Sequence, residues 1–169
     1  MSRRIAWALV ELAEGRRPPW TSPSETSRLR RQLHRLARDP EPELLLRSWL
    51  ATRAERHALS APDVRRLRRD ARVVLSGISD PRSRLSPGDD MEAYVHEDDL
   101  AAVRAEHLLV PTRAGRANVV LHASPVLPAH PVPLLLLAGD LAEHDSDREL
   151  GRSRDLIATA LRAPEAVVA

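Results

Sequence analysis

The amino-acid sequence predicts an α+β protein with an N-terminal helical, helix-turn-helix-like segment followed by a small mixed α/β domain. Hydrophobic residues make up 43% and charged residues 30% of the 169 residues, as is typical of a globular chain. The chain has no Phe, so Leu, Val and Ala must fill its core, and that composition suits helices. Apolar residues recur at helical spacing as far as Arg72, and short Val-rich runs begin directly after it.

The first two predicted helices each carry a clear terminal signal. Residues Ser2 to Glu14 place Ile5, Leu9 and Leu12 on one face, and Gly15 follows as a C-terminal cap. A second helix opens at a capping box, Ser22-Pro23-Ser24-Glu25, with proline at its first position. Its apolar stripe is Leu29, Leu33 and Leu36. Its outer face is basic and consists of Arg28, Arg31, His34, Arg35 and Arg38.

Two further helices complete the predicted helical segment, residues 1–72. The pattern from Glu43 to His57 is apolar over most of a helical circumference, which predicts a central helix. Ser60-Ala61-Pro62-Asp63 predicts a second capping box, followed by a short helix. That helix turns Val64 and Leu67 inward and exposes three arginines, Arg65, Arg66 and Arg69.

Residues 73–169 form the predicted mixed α/β domain. The predicted strands are Val73–Leu75, Glu92–Val95, Leu108–Val110 and Asn118–Leu121, the last two joined as a hairpin through Arg113–Arg116. Residues Gly77 to Asp90 are expected to form a long polar loop. The predicted helices run from Glu97 to Glu106, from Leu134 to Glu143, and from a third capping box at Ser146 to near Pro164.

The net charge of +2 conceals an asymmetry between the two predicted domains. Residues 1–72 hold 17 Arg and 9 acidic residues, a net charge of +8, whereas residues 73–169 have a net charge of −6. Such an asymmetry favours contact between the basic part and a polyanion, either nucleic acid or an acidic protein surface. Attraction between the two parts of the chain, or arginine on a solvated face, explains the same pattern without a partner.

Several kinds of chemistry are excluded or disfavoured by the composition. The chain has no Cys, so thiolate metal sites and cysteine nucleophiles are impossible. All 26 basic side chains are Arg, so no phosphate-binding or Schiff-base lysine exists. The six Gly are scattered and form no phosphate-binding loop. We therefore expect no enzyme, no cofactor and no metal; acids near His96 and His144 are interpreted as helix starts.

No membrane segment or signal peptide is expected. Acidic residues Glu11 and Glu14 interrupt the apolar stretch at the N-terminus, and no small-residue cleavage site follows. The longest apolar run, Leu134 to Ala138, is far shorter than the roughly 20 residues that span a bilayer. These features predict a cytoplasmic protein, and the use of Arg in place of every Lys is typical of a GC-rich bacterial genome.

Two rows of arginine make nucleic acid the favoured ligand. Exposed guanidinium groups at helical spacing can neutralise phosphates, and few aromatic residues are present to stack on single strands. Double-stranded DNA bound by a helix in a groove is therefore the predicted form. Residues Ser79 to Ser86, with Arg82 and Arg84, are the candidate wing. The predicted DNA-binding residues are Arg28, Arg31, Arg35, Arg38, Arg65, Arg66 and Arg69.

Four short motifs in the second part resemble the AbiEi-like antitoxins of type IV toxin–antitoxin systems. They are Arg72–Gly77, Met91–Val95, Ala117–His122 and Ala138–Glu143. The resemblance covers about residues 60 to 160. It implies a winged-helix front domain, repression of the protein's own promoter and a nucleotidyltransferase-type toxin as partner. The chain departs from this family because no short basic hairpin of the usual wing type is visible in its front part.

Three hypotheses follow from the sequence. The first is a DNA-binding transcriptional regulator, an antitoxin candidate, whose acidic part binds a partner or forms a homodimer. The second is a non-enzymatic adaptor that binds an acidic protein through the arginine-rich part, with Trp7 or Trp20 as an anchor. The third is a metal-dependent hydrolase that uses His144 or Asp147.

Overall fold

The computed structural model describes residues 1–162, except for the side chain of Ala114. In this part of the chain, helices and one mixed five-stranded sheet are combined, which confirms the α+β class. The helices are α1 (Arg3–Ala13), α2 (Pro23–Leu36), α3 (Pro42–Leu50), α4 (Val64–Leu67), α5 (Leu100–Glu106), α6 (Leu134–Leu141) and α7 (Asp147–Arg162). The strands are β1 (Glu55–Ser60), β2 (Val73–Leu75), β3 (Met91–His96), β4 (Val110–Pro111) and β5 (Val119–Ser124). The predicted end of the last helix near Pro164 lies outside the described residues.

The chain forms two compact units, and they differ from the predicted division after residue 72. The helical unit consists of residues 1–53 and 133–169, and the sheet unit consists of residues 54–132. Residues 54–72 belong with the sheet because they supply β1 and α4. The helix predicted from Glu43 to His57 ends at Leu50, and β1 follows it. Pairing of β1 with strands on both sides overrides the helical pattern of these residues.

The helical unit is held together by leucine contacts and by one buried ionic network. Gly139 of α6 lies so close to α3 that an added Cβ would be 2.6 Å from Cδ1 of Leu50. Arg53 is 2% exposed and donates through Nε to Oδ1 of Asp140 at 3.1 Å. Its Nη1 donates to Oε1 of Glu143 at 2.6 Å. The network therefore joins the end of the first segment of this unit to its second segment.

Local capping signals were predicted with mixed success. The capping box of α2 is confirmed: Ser22 Oγ accepts from Glu25 N, and Glu25 Oε2 accepts from Ser22 N. The cap predicted at Ser60 is wrong, because Ser60 is the last residue of β1. The side chain of Asp63 caps α4 instead, since its Oδ1 accepts from Arg66 N at 3.0 Å.

The sheet has the strand order β2-β3-β5-β1-β4. Strands β3 and β5 are parallel and are connected through α5, whereas the other neighbouring strands are antiparallel. The predicted hairpin is wrong, because β4 and β5 lie on opposite sides of β1. Asn118 explains this arrangement: its side chain exchanges two hydrogen bonds with the backbone of Ala61 and holds the start of β5 beside the end of β1.

One face of the sheet carries the apolar core of the sheet unit. Alternate residues of the strands point to this face, as the period of a strand requires. Helices α4 and α5 contribute Val64, Leu67 and Val103 to it. The strand residues in the core are Leu59, Met91, Ala93, Val95, Val119, Leu121 and Ala123.

Candidate nucleic-acid interface

The start of α2 is fixed by side chains from outside the helix. Arg4 of α1 forms an ion pair with Glu25, and its Nη1 donates to the backbone oxygen of Trp20 at 3.0 Å. The guanidinium of Arg4 and the backbone amide of Ser22 lower the pKa of Glu25 from 4.5 to about 2. The carboxylate of Glu25 therefore serves the helix start and is engaged with Arg4.

The outer face of α2 is basic, as predicted. Leu29 and Leu36 are fully buried on the inner face, and Leu33 is half-buried. Arg28, Arg31 and Arg35 are exposed on α2, and Arg38 is exposed just beyond its end. His34 is also exposed. The helical periodicity of the sequence is sufficient to find these residues, because inward leucines determine which side of the helix faces solvent.

One arginine of this surface was missed from the sequence. Arg30 is exposed as well. At about 100° per residue it lies well away from Leu29 on the helical circumference, and only a narrow stripe of α2 is buried. A wider helical wheel analysis would have included it. We call the five exposed residues, Arg28, Arg30, Arg31, Arg35 and Arg38, the α2 arginine face.

The α2 arginine face has no acidic counterpart among the residues that the structure describes. Several other arginines of the helical unit are paired, among them Arg16 with Glu11, Arg47 with Asp145, and Arg154 with Glu43. No ion pair or hydrogen bond involves a guanidinium group of the α2 arginine face within residues 1–162. Five like charges on one short helical surface create a positive potential that an external anion would neutralise.

The second predicted row lies in the sheet unit. Arg65 and Arg66 are exposed on α4, and Arg69 is exposed in the turn after it. Arg68, between them, is half-buried and donates to the backbone oxygen of Asp90. The seven arginines predicted from the sequence are thus divided between the two units, four in the helical unit and three in the sheet unit.

The segment predicted as a wing has a different structure. Residues Gly77–Ser79 and Pro81–Ser83 form two 3₁₀ turns, and no strand lies between residues 76 and 90. Arg82 is turned inward: its guanidinium donates to both carboxylate oxygens of Asp80 and, at 2.7 Å, to the backbone oxygen of Val132. Arg84 is exposed, with a left-handed backbone φ of 56°. Hydrogen bonds of Ile78 and Ser79 with Glu92 hold this loop against β3, so the candidate wing is a loop of 3₁₀ turns and not a β-hairpin.

The charge asymmetry between residues 1–72 and 73–169 disappears when net charge is counted for the two compact units. The helical unit holds 15 Arg and 13 acidic residues, a net charge of +2. The sheet unit holds 11 of each, a net charge of zero. The division at residue 72 had separated arginines from acids that fold beside them, such as Arg53 from Asp140. Local charge on α2 is the basic feature that remains.

The histidines considered for metal binding are engaged in hydrogen bonds or lie apart from one another. His96 Nδ1 accepts from the backbone amide of Asp98, and its Nε2 lies 3.1 Å from the backbone oxygen of Pro125. Asp147 is exposed at the start of α7. Within residues 1–162, no three His, Asp or Glu side chains converge as a metal-binding group.

The tryptophans proposed as interface anchors differ in exposure. Trp7 is 6% exposed, and its Nε1 donates to the backbone oxygen of Arg53 at 3.1 Å, so it is a buried structural residue. Trp20 is 48% exposed. Of the two, Trp20 remains available to a partner.

No helix in residues 1–162 is both long enough and apolar enough to cross a membrane. Comparison with known protein families, curated proteins and solved structures finds no match for this chain.

Proposed function

We propose that this chain is a DNA-binding regulator that contacts duplex DNA through the α2 arginine face. The observation that carries the proposal is the set of five exposed guanidinium groups without acidic partners in residues 1–162. They stand on a helix whose opposite side is anchored by fully buried Leu29 and Leu36. A rigid helix with this charge can neutralise phosphates without rearrangement.

The dimensions of the row match a short stretch of DNA backbone. At about 1.5 Å of rise per residue, the distance from Arg28 to Arg38 is roughly 15 Å. Successive phosphates of one strand rise 3.4 Å along the axis of the duplex, so a row of this length corresponds to the rise of about four phosphates. Arginine is also the side chain best suited to paired hydrogen bonds with phosphate oxygens.

The finer role, an antitoxin that represses its own promoter and counters a nucleotidyltransferase-type toxin, rests on the resemblance to AbiEi-like proteins. Packing among α1, α2 and α3 supports a helix-based mode of docking. The residues from 76 to 90 supply no wing, so groove contact in this proposal depends on helices alone. Arg65, Arg66 and Arg69 are proposed as additional phosphate contacts.

Fluorescence anisotropy at several salt concentrations tests the proposal. The protein is titrated with its own upstream DNA and with a scrambled duplex of equal length. We expect preference for the upstream DNA and a log–log salt slope of about −4, since each neutralised phosphate contributes about −0.9. Equal binding of both duplexes would reduce the role to non-specific contact, and no binding at low salt would refute the proposal.

Charge-reversal variants identify the surface. Arg31→Glu combined with Arg35→Glu should abolish binding or reduce the salt slope by about two, because two phosphate contacts are lost. Arg113→Glu combined with Arg116→Glu is the matched control, since both residues are exposed in the sheet unit and the net charge changes equally. An equal loss in the control would point to overall charge and not to the α2 arginine face.

A protein-interaction adaptor is the second candidate, and exposed Trp20 favours it. Tryptophan is frequent among residues that dominate protein interfaces. An adaptor would use the α2 arginine face to bind an acidic protein surface. It would bind duplex DNA no more tightly than an acidic polypeptide. Competition between DNA and polyglutamate for the protein separates the two functions.

A further inference from the structure

Trp20 is presented on a backbone that is held in place by several hydrogen bonds. Its own carbonyl oxygen accepts from Arg4 Nη1 at 3.0 Å. The next residue, Thr21, is buried and donates to the backbone oxygen of Pro18 through both its amide and its hydroxyl. Thr21 Oγ1 also lies 3.1 Å from Oγ1 of Thr26 in α2. The turn before α2 is therefore ordered by contacts that do not require the indole.

The indole of Trp20 is more exposed than those of the other two tryptophans. Trp7 is buried, Trp49 is half-buried, and Trp20 alone among the three is exposed. All three lie within the described residues. An aromatic side chain of this size is normally buried or placed in an interface. An ordered backbone that exposes an indole resembles a preorganised contact, because little entropy remains to be lost on binding.

We propose that Trp20 stacks on an unstacked base of the DNA held by the α2 arginine face, so that the preferred ligand is a duplex with an exposed base. This inference rests on the proposed function and adds a base contact to its phosphate contacts. Trp20 precedes the first residue of α2 by only three positions, so one DNA ligand can reach the indole with a base and the arginines with its phosphates.

The surroundings of Trp20 favour a nucleic acid over an acidic protein. Within residues 17–24, Trp20 is the exposed large apolar side chain, and its exposed neighbours in sequence are Arg17, Pro19, Ser22, Pro23 and Ser24. A protein interface would need further apolar residues around the tryptophan to exclude water. A base needs only one aromatic face for stacking, and the α2 arginine face suits the phosphates of the same nucleic acid. Wedge-like apolar residues at opened base steps are a known use of such side chains.

Two readouts on the full chain test the inference. The ligands are a fully paired duplex, the same duplex with one bulged base, and polyglutamate as a polyanion without bases. We expect the bulged duplex to bind about 5- to 140-fold more tightly than the paired one, which is the range that one base–aromatic stack supplies. We also expect it to quench tryptophan emission.

The variants separate this inference from the proposed function. Trp20→Leu should bind both duplexes with the affinity that the wild-type protein has for the paired duplex, and its tryptophan emission should not be quenched. Trp20→Phe should keep part of the preference for the bulged duplex. If Trp20→Leu retains the preference for the bulged duplex, the stacking inference is refuted while DNA binding stands. If the wild-type protein binds neither duplex, both proposals fail. Binding of polyglutamate with equal affinity and equal quenching would assign the surface to an acidic protein.

Discussion

His122 Nε2 lies 2.8 Å from Oε1 of Glu92, and both side chains are buried, at 1% and 0% exposure. The two residues belong to the parallel strands β5 and β3. The ring of His122 also stacks on Tyr94, with ring centroids 4.9 Å apart. Glu92 further accepts from the backbone amide of Ile78 through Oε2 at 3.2 Å. A polar contact inside the protein thus links the two central strands to the loop after β2.

Removing one member of this pair should destabilise the fold strongly. We expect His122→Leu or Glu92→Leu to lower the free energy of unfolding by about 3–5 kcal/mol, because each leaves a buried polar partner without its contact. The double variant should lose less than the sum of the two single losses. Urea denaturation of the four proteins measures this coupling. Strict additivity would show that the contact contributes nothing of its own.

Gly77 should tolerate no larger residue. Its φ is +52°, and an added Cβ would lie 1.8 Å from Oε2 of Glu92. Gly77→Ala should therefore lower the free energy of unfolding by about 2–4 kcal/mol, from backbone strain and from displacement of the carboxylate. Gly88→Ala is the matched control, because its φ is +59° but no atom lies within 4 Å of the added Cβ. Only the strain of about 1 kcal/mol is expected there, and equal losses in thermal denaturation would contradict the steric explanation.

Replacing Leu108 with glycine should stabilise the fold. It follows the C-cap of α5 with a φ of 53° and is 69% exposed. Leu109 N donates to Arg104 O, and Leu108 N donates to Ala105 O, as in a Schellman motif that usually places glycine at this position. Leu108→Gly should raise the free energy of unfolding by about 1 kcal/mol. Leu109→Gly should lower it, because Leu109 is buried; stabilisation by both changes would argue against backbone strain as the cause.

Lowering the pH should destabilise the helical unit because Glu25 becomes protonated. The pKa of Glu25 is lowered from 4.5 to about 2, chiefly by its hydrogen bond with Arg4. A carboxylate with a lowered folded-state pKa contributes stability that is complete above pH 4.5 and is lost as the pH falls towards 2. Glu25→Gln should therefore flatten the decrease in stability over this interval. Arg4→Gln should flatten it too, measured by denaturation at successive pH values; an unchanged slope in Arg4→Gln would assign the effect to another carboxylate.

Local signals explain which elements the sequence predicted well. The capping box at Ser22, the leucine stripe of α2 and the Val-rich β2 each depend on neighbours within a few residues, and all three were confirmed. Exposure of Arg28, Arg31 and Arg35 followed from the same stripe. Local patterns therefore suffice for the candidate interface on α2.

Long-range pairing explains what the sequence could not predict. Residues 51–57 continue a helical pattern, but strand β1 pairs with β5, and Glu55 lies opposite Ala123. The inward turn of Arg82 depends on the backbone oxygen of Val132, fifty residues away. Burial of Trp7 likewise involves the backbone of Arg53. None of these partners is visible in a local window, and for the same reason the division into compact units after residues 53 and 132 is not visible there.

The two-segment make-up of the helical unit has a consequence for biosynthesis. Arg53 finds Asp140 and Glu143 only after residues 54–132 have been translated, whereas the sheet unit is continuous in sequence. As the chain leaves the ribosome, the sheet unit can complete its pairing first, and α1 to α3 must await α6 and α7. Helix α2, which carries the arginines, is thus expected to become ordered late, only after α6 and α7 have been translated.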